Sequence, residues 1–237
     1  MSKVILVTGS NTGIGLDLVR VLAEKGHTVY LSARNEAAGK EAQEKLKADG
    51  LYVKFVRIDV TDGDSIAAAK NLIKEVEGKL DVLVNNAAVS EFLNDSAVTM
   101  SMDTARRIFD TNFFGLVQVT TAFIPLLQDS GEGVITNVTS GLGSNRYRAQ
   151  REDYVFNAAY SASKAAVNSY TIALARELKK DGIKVNAVSP GFTATKLNNF
   201  TGTLTVREGT EVVLRWVLLD KDGLTGQFGG PEGLFTW

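Results

Sequence analysis

Lys3-Val4-Ile5-Leu6-Val7-Thr8-Gly9-Ser10-Asn11-Thr12-Gly13-Ile14-Gly15 is the stretch that decides the fold. Its opening, Lys3 to Thr8, is a short apolar, largely β-branched run that reads as a strand. Gly9 to Gly15 follows as a Gly-x-x-x-Gly-x-Gly turn, and then Leu16, Val19, Leu22 and Ala23 fall on one stripe of a helix. Glycines accept positive φ and let the backbone approach a ligand closely. A helix N-terminus behind them offers unpaired N–H groups and the positive end of a dipole to a phosphate. The spacing differs from the commoner Gly-x-Gly-x-x-Gly dinucleotide fingerprint. A merely tight loop is the plain alternative, but a turn placed directly after a buried first strand favours a nucleotide site.

The same alternation continues outward from this unit. Strand-like runs fall near 3–8, 28–32, 52–58, 81–85, 133–138 and 183–188, with a last short strand that includes Gln227-Phe228. Helical patterns fill 14–25, 35–48, 64–77, 102–128, 158–181 and 206–219. Val82-Leu83-Val84 and Val185-Asn186-Ala187-Val188 are short and mostly apolar, as strands covered on both faces should be. The expected fold is therefore α/β: one doubly wound parallel sheet of Rossmann type with helices on both sides, as a single domain over 1–237.

Bulk properties exclude several classes of function. The 237 residues suffice for a sizeable core, and the net charge is −1 with no charge run, which gives no sign of nucleic acid or an anionic membrane as partner. The chain has no cysteine, so disulfides, thiolate metal sites and cysteine nucleophiles are out. One histidine, His27, cannot supply a typical zinc site and reads as a turn residue, so no metal is expected. The apolar run after Met1-Ser2-Lys3 is too short for a signal-peptide core, and no stretch is long enough to span a bilayer. The expectation is a cytoplasmic protein.

Tyr160-Ser161-Ala162-Ser163-Lys164 carries the chemistry. On a helix, Tyr160 and Lys164 share one face. A phenol has a reference pKa of about 10 and is a poor proton donor or acceptor near neutrality. A fixed ammonium beside it should pull that value down and make the pair useful at cellular pH. Tyr-x-x-x-Lys alone is weak evidence; its weight comes from the motifs upstream.

Taken together, these motifs resemble the short-chain dehydrogenase/reductase family over nearly the whole chain. Thr8-Gly9-x-x-x-Gly13-Ile14-Gly15 is similar to its cofactor loop, which implies contacts from Gly9, Ser10, Asn11, Thr12, Gly13, Ile14 and Gly15. Asp59-Val60 resembles its adenine-contact pair, and Asn85-Asn86-Ala87-Ala88 its fourth-strand motif, with Ala88 where glycine is usual. Pro190-Gly191, followed by Thr193 and Thr195, resembles the loop that holds the nicotinamide. Asn112, Ser140, Tyr160 and Lys164 match the catalytic set. The resemblance implies that Tyr160 protonates an alkoxide, Ser140 orients the same oxygen, Lys164 assists Tyr160 and binds the nicotinamide ribose, and Asn112 holds a water that links Lys164 to solvent.

The second strand ends Ser32-Ala33-Arg34-Asn35. NAD-specific sites place an acidic residue near this point. Here no carboxylate is present to repel a 2′-phosphate, and the Arg34 guanidinium is available to bind one. The expected cofactor is NADP(H), although Thr12 stands where many NADP-dependent relatives carry a basic residue. The reading is thus an NADPH-dependent carbonyl reductase, or the reverse alcohol dehydrogenase. An NAD-linked member of the family is the alternative, and a dinucleotide-binding sensor or scaffold a more distant one.

Between Ser140 and Tyr160 the spacing is longer than the family commonly has. The segment 144–157 carries Arg146, Tyr147, Arg148, Arg151, Tyr154 and Phe156, and reads either as a solvated loop or as a wall of the substrate pocket. With Phe92, Leu142 and Phe192, its aromatics suggest a hydrophobic carbonyl substrate. Helices 102–128 and 158–181 correspond to the family's common dimer face, which leaves monomer, homodimer and homotetramer open.

Overall fold

The computed structural model describes residues 2–91, 96–150 and 157–237. In chain order the elements are β1 (Val4–Val7), α1 (Gly13–Glu24), β2 (Thr28–Ala33), α2 (Glu36–Ala48), β3 (Lys54–Arg57), α3 (Gly63–Glu77) and β4 (Val82–Asn85). Then come α4 (Met102–Phe109), a π-helical turn (Asp110–Gly115), α5 (Leu116–Asp129), β5 (Val134–Val138) and α6 (Asn145–Ala149). The remainder is α7 (Ala158–Glu177), β6 (Lys184–Val188), α8 (Val206–Val217), β7 (Phe228–Gly230) and β8 (Gly233–Leu234).

The strands form one sheet in the order β3-β2-β1-β4-β5-β6-β7-β8, parallel from β3 to β7. This is the doubly wound Rossmann-type arrangement. Side chains of a strand alternate between faces, so Leu6 joins one core with Tyr30, Leu83, Ile135 and Val185, under α3, α5 and α7. Ile5 and Val7 join the other, with Val29, Val82 and Val134, under α1, α2 and α8. Because both faces are covered, β1, β4, β5 and β6 are buried at every position.

The chain order reverses between β1 and β4. Loops after these two strands diverge to opposite sides of the sheet and leave a crevice at their carboxyl ends, where such folds bind ligands. The glycine turn follows β1, and Asn86-Ala87-Ala88 follows β4.

Three features depart from the sequence reading. The helix expected over 102–128 is two helices joined by the π turn. The segment 144–157 contains a short helix, α6. The sheet closes with an antiparallel strand, β8, where only a parallel one was expected. At two residues, β8 is too short to carry a hydrophobic period.

Candidate active site

The glycine turn is held by side chains of neighbouring strands. Thr8, at the end of β1, accepts through Oγ1 from the Asn86 amide at 2.9 Å and the Ala87 amide at 3.1 Å. Asn86 returns the tie, its Nδ2 donating to the carbonyls of Thr8 at 2.9 Å and Gly9 at 3.0 Å. Gly9 has φ +59°, and a Cβ there would lie 2.8 Å from Ala87 Cα. A Cβ on Gly15 would meet Asn86 Nδ2 at 2.6 Å and Ser10 Cα at 2.8 Å. Thr12 caps α1 with its backbone only, so among the described residues no side chain occupies the first amides of that helix.

Beyond this turn lies a cavity of about 560 Å³. Gly9, Asn11, Thr12, Gly13, Ile14, Gly15, Asn86 and Ala87 line its middle. One end carries Arg34, Asn35, Asp59 and Val60; the other carries Tyr160, Lys164, Pro190 and Thr195. An extended dinucleotide fits this set: a cradle that a single methyl would fill, uncapped helix amides behind it, and a cation at one end. The Arg34 guanidinium is exposed and forms no ion pair among the described residues. Its own carbonyl accepts from Arg57 Nε at 3.3 Å. Burial pushes the Asp59 carboxyl upward, but hydrogen bonds from the Thr61 amide and hydroxyl, with Arg34 and Arg57 nearby, outweigh it and hold Asp59 below its ordinary value.

At the other end, β5 delivers Ser140 just past its last residue and α7 delivers Tyr160 and Lys164 one turn apart. Ser140 Oγ accepts from the Leu142 amide at 3.2 Å and is hydrogen-bonded to the Tyr160 hydroxyl. Lys164 is 2% exposed; its Nζ donates to the Val138 carbonyl at 2.9 Å and lies over the Tyr160 ring. Burial pulls the Lys164 ammonium down to about 8. Burial also pushes the Tyr160 phenol up to about 12, against the hydrogen bond with Ser140, which works the other way. The sequence reading expected the lysine to draw the tyrosine down. Desolvation reverses that direction, because each charged form is withdrawn from water.

Asn112 sits in the π turn, fully buried. Its Nδ2 donates to the Val89 carbonyl at 3.0 Å and Ser163 Oγ at 3.1 Å, and its Oδ1 accepts from the Val89 amide at 2.8 Å. Both amide hydrogens are therefore spent on joining the loop after β4 to α7. A water at Asn112 is left to the remaining Oδ1 lone pair or the backbone carbonyl.

Not every expected residue reaches the cavity. Ser10 is wholly buried; its amide and hydroxyl donate to Ser32 and Val7 carbonyls, and its Oγ accepts from the Ser32 amide. It links β1 to β2 instead of facing a ligand. Asn112, Ser140, Gly191 and Thr193 are not among the lining residues, and Thr193 turns its hydroxyl back to the Pro190 carbonyl at 3.2 Å. Leu142, Tyr147 and Phe192 also lie off this cavity. Phe92, Tyr154 and Phe156 fall outside the described residues. Conversely, Asn35, Val89, Ser90, Arg107, Thr111, Leu197 and Asn199 line the cavity and were not anticipated. Asn35 and Thr111 adjoin Arg34 and Asn112 in sequence; tertiary placement brings the others there, and no motif marks them. Among the described residues no cluster could hold a metal ion, and no helix is long and apolar enough to cross a membrane.

The family model for the short chain dehydrogenases matches residues 3–203. Short-chain dehydrogenase/reductase 1 of Saponaria officinalis is 33% identical, with 97% of this chain and 92% of the relative covered. Carbonyl reductase [NADPH] 3 of Mus musculus is 31% identical, covering 100% of this chain and 99% of the relative. Among solved structures, salutaridine reductase of Papaver somniferum superposes with a TM-score of 0.85 at 29% identity, over 95% of this chain and 99% of that one. The chain belongs to the short-chain dehydrogenase/reductase family of oxidoreductases, whose members bind a nicotinamide dinucleotide.

Proposed function

We propose that the protein is an NADPH-dependent reductase of ketones or aldehydes. One observation carries the reading: Tyr160, hydrogen-bonded to Ser140, and Lys164 line one end of a cavity whose other end presents Arg34, which has no ion pair among the described residues. The bound nicotinamide supplies a hydride to the carbonyl carbon. Tyr160 gives its hydroxyl proton to the oxygen that becomes an alkoxide, and Ser140 hydrogen-bonds that same oxygen. A phenol held up at about 12 keeps its proton at neutral pH, which suits it to the reductive direction. Lys164 stabilises the phenolate that proton transfer leaves and contacts the nicotinamide ribose. Asn112 fixes the loop after β4 against α7 and so holds the two walls of the site together.

Arg34 binds the 2′-phosphate of the adenosine half, as a guanidinium does with paired donors. Thr12, in place of a basic residue, supports a second reading in which NADH is also accepted. The mouse relative's name carries NADPH and carbonyl reduction, which supports the first. The test is loss of NADPH absorbance with purified protein and a panel of aromatic diketones, quinones and aldehydes. Turnover with NADPH and slower turnover with NADH bears the reading out. No turnover of any carbonyl, despite NADPH binding, overturns it.

A further inference from the structure

Phe235 lies outside every motif so far discussed, yet it packs directly behind the Ser140 turn. The segment after β7 folds back through β8, and the Phe235 amide donates to the Phe228 carbonyl at 2.6 Å. Phe228 is fully buried, so this hydrogen bond roots the returning segment in the core. The Phe235 ring rests on that of Phe228 at 4.9 Å between centroids and meets Tyr147 of α6 edge-on at 5.1 Å.

Two glycines make room for it. A Cβ on Gly230 would lie 2.8 Å from Phe235 Cδ2, and one on Gly141 would lie 3.1 Å from Phe235 Cζ and 3.4 Å from Tyr147 Cε1. Gly141 is the residue next to Ser140. The same hairpin also reaches the nicotinamide-side turn, where a Cβ on Gly191 would lie 3.0 Å from Pro231 Cγ. Ser189 Oγ ties the two turns together by accepting from the Gly141 amide at 3.0 Å and the Gly191 amide at 3.4 Å. One segment thus backs both the turn that aims Ser140 and the turn that follows Pro190.

We propose that Phe235 is a positioning residue for carbonyl reduction: its ring, wedged between Phe228, Tyr147 and Gly141, holds the Ser140 turn in line with Tyr160. The proposal rests on the reductase reading for its kinetic arm only. Ser140 is held mainly by the short turn Gly141–Gly143, whose 3₁₀ hydrogen bonds are few. Removing the ring takes away the closer of the two aromatic contacts on Gly141 and leaves the turn to Tyr147 and the Ser189 hydrogen bond. Misplacing a group by about 1 Å can cost on the order of 10²-fold in rate.

The experiment compares Phe235→Ala, Phe235→Leu and Phe235→Tyr with the parent protein. Three quantities are read: kcat and KM for a diketone, the Kd for NADPH, and amide hydrogen exchange at residues 141–143. The expected result for Phe235→Ala is a fall in kcat of about tenfold to a hundredfold, NADPH affinity within twofold of the parent, and faster exchange at 141–143. Phe235→Tyr should recover most of the rate, and Phe235→Leu part of it. Unchanged exchange at 141–143 overturns the proposal whatever the enzyme reduces. A loss of kcat that comes with an equal loss of NADPH affinity in all three variants also overturns it, since that marks general unfolding. If the parent reduces no carbonyl, the functional reading fails, while the exchange measurement still decides on Phe235.

Discussion

The ammonium of Lys164 lies 5.8 Å from the centre of the Tyr160 ring, and both groups are buried. Each is shifted against its own charge: the lysine down to about 8, the tyrosine up to about 12. At neutral pH the phenol keeps its proton, so the cost to the fold falls on the buried ammonium alone. Below pH 8 Lys164 is protonated in both folded and unfolded chains, and the penalty is complete. Between about 8 and 10.5 the unfolded chain holds more protons than the folded one, so stability rises with pH as the penalty fades. Lys164→Met removes this penalty but also the bond to the Val138 carbonyl, so the variant should melt higher than the parent at pH 7 by less than the about 3 kcal/mol that the full shift represents at about 1.36 kcal/mol per unit. The gap should narrow between pH 8 and 10, as thermal unfolding at several pH values would reveal. A constant gap, or a less stable variant at pH 7, contradicts the assignment.

Tyr160→Phe keeps the ring and removes the acidic hydroxyl. General acid catalysis contributes typically about 10²–10⁴-fold, so kcat should fall at least that far while NADPH still binds. Activity within tenfold of the parent would sink the role. Ser140→Ala removes the hydrogen bond that opposes the upward shift of Tyr160, so alcohol oxidation, which needs the phenolate, should then require higher pH than in the parent.

Cofactor choice is tested at Arg34. Ala33 is buried, so an aspartate there would be desolvated and its effect on the cofactor confounded with stability. Arg34→Leu is the cleaner change, because the side chain is exposed. A charge-assisted hydrogen bond contributes about 1.5–3 kcal/mol, which corresponds to about tenfold to a hundredfold in kcat/KM for NADPH. NADH should lose little. Steady-state kinetics with both cofactors at one ionic strength reads the ratio, and an equal loss with both would assign Arg34 to the adenine pocket.

Gly9→Ala should weaken dinucleotide binding. Residue 9 has positive φ, which costs an L side chain about 1–2 kcal/mol, and its Cβ would press on the Ala87 backbone at 2.8 Å. Gly26→Ala is the control, with φ +79° and nothing within 4 Å. Both should lower the melting temperature, but only the first should raise the Kd for NADPH, by about fivefold or more. Equal binding by both variants would deny Gly9 its part in the cradle.

What was legible in the sequence was what local pattern encodes. The run Val4–Val7, the glycines at 9, 13 and 15 and the stripe through Leu22 announce strand, turn and helix within one short window, and the structure keeps them there. The Tyr160-to-Lys164 spacing likewise depends only on helix pitch. The break at Asp110–Gly115 was not legible as a π turn: Asp110, Thr111, Asn112 and Gly115 are weak helix formers, but propensity does not name the kind of break, and the turn is held by long-range bonds from Asn112 to Val89 and Ser163. The position of Ser10 off the cavity was not legible for a related reason: a loop motif names the residues in a turn without saying which point inward. Direction of the pKa shifts was missed because charge proximity can be guessed from spacing, whereas burial depends on the whole fold.

The π turn also says how this chain tolerates editing. An α-helix advances by about 100° per residue, and a π turn takes up one extra residue as a local bulge, so the faces on either side of it stay in register. Ala105 and Ile108 face Ala159 before it, while Val119 and Phe123 face the sheet after it. Deleting one residue from 110 to 115 would restore ordinary pitch and leave both halves seated, whereas a deletion inside α5 would turn its apolar stripe away from the sheet. In a scan of single-residue deletions, these six positions should be tolerant for folding and intolerant for activity, because the bulge carries Asn112 to Val89 and Ser163.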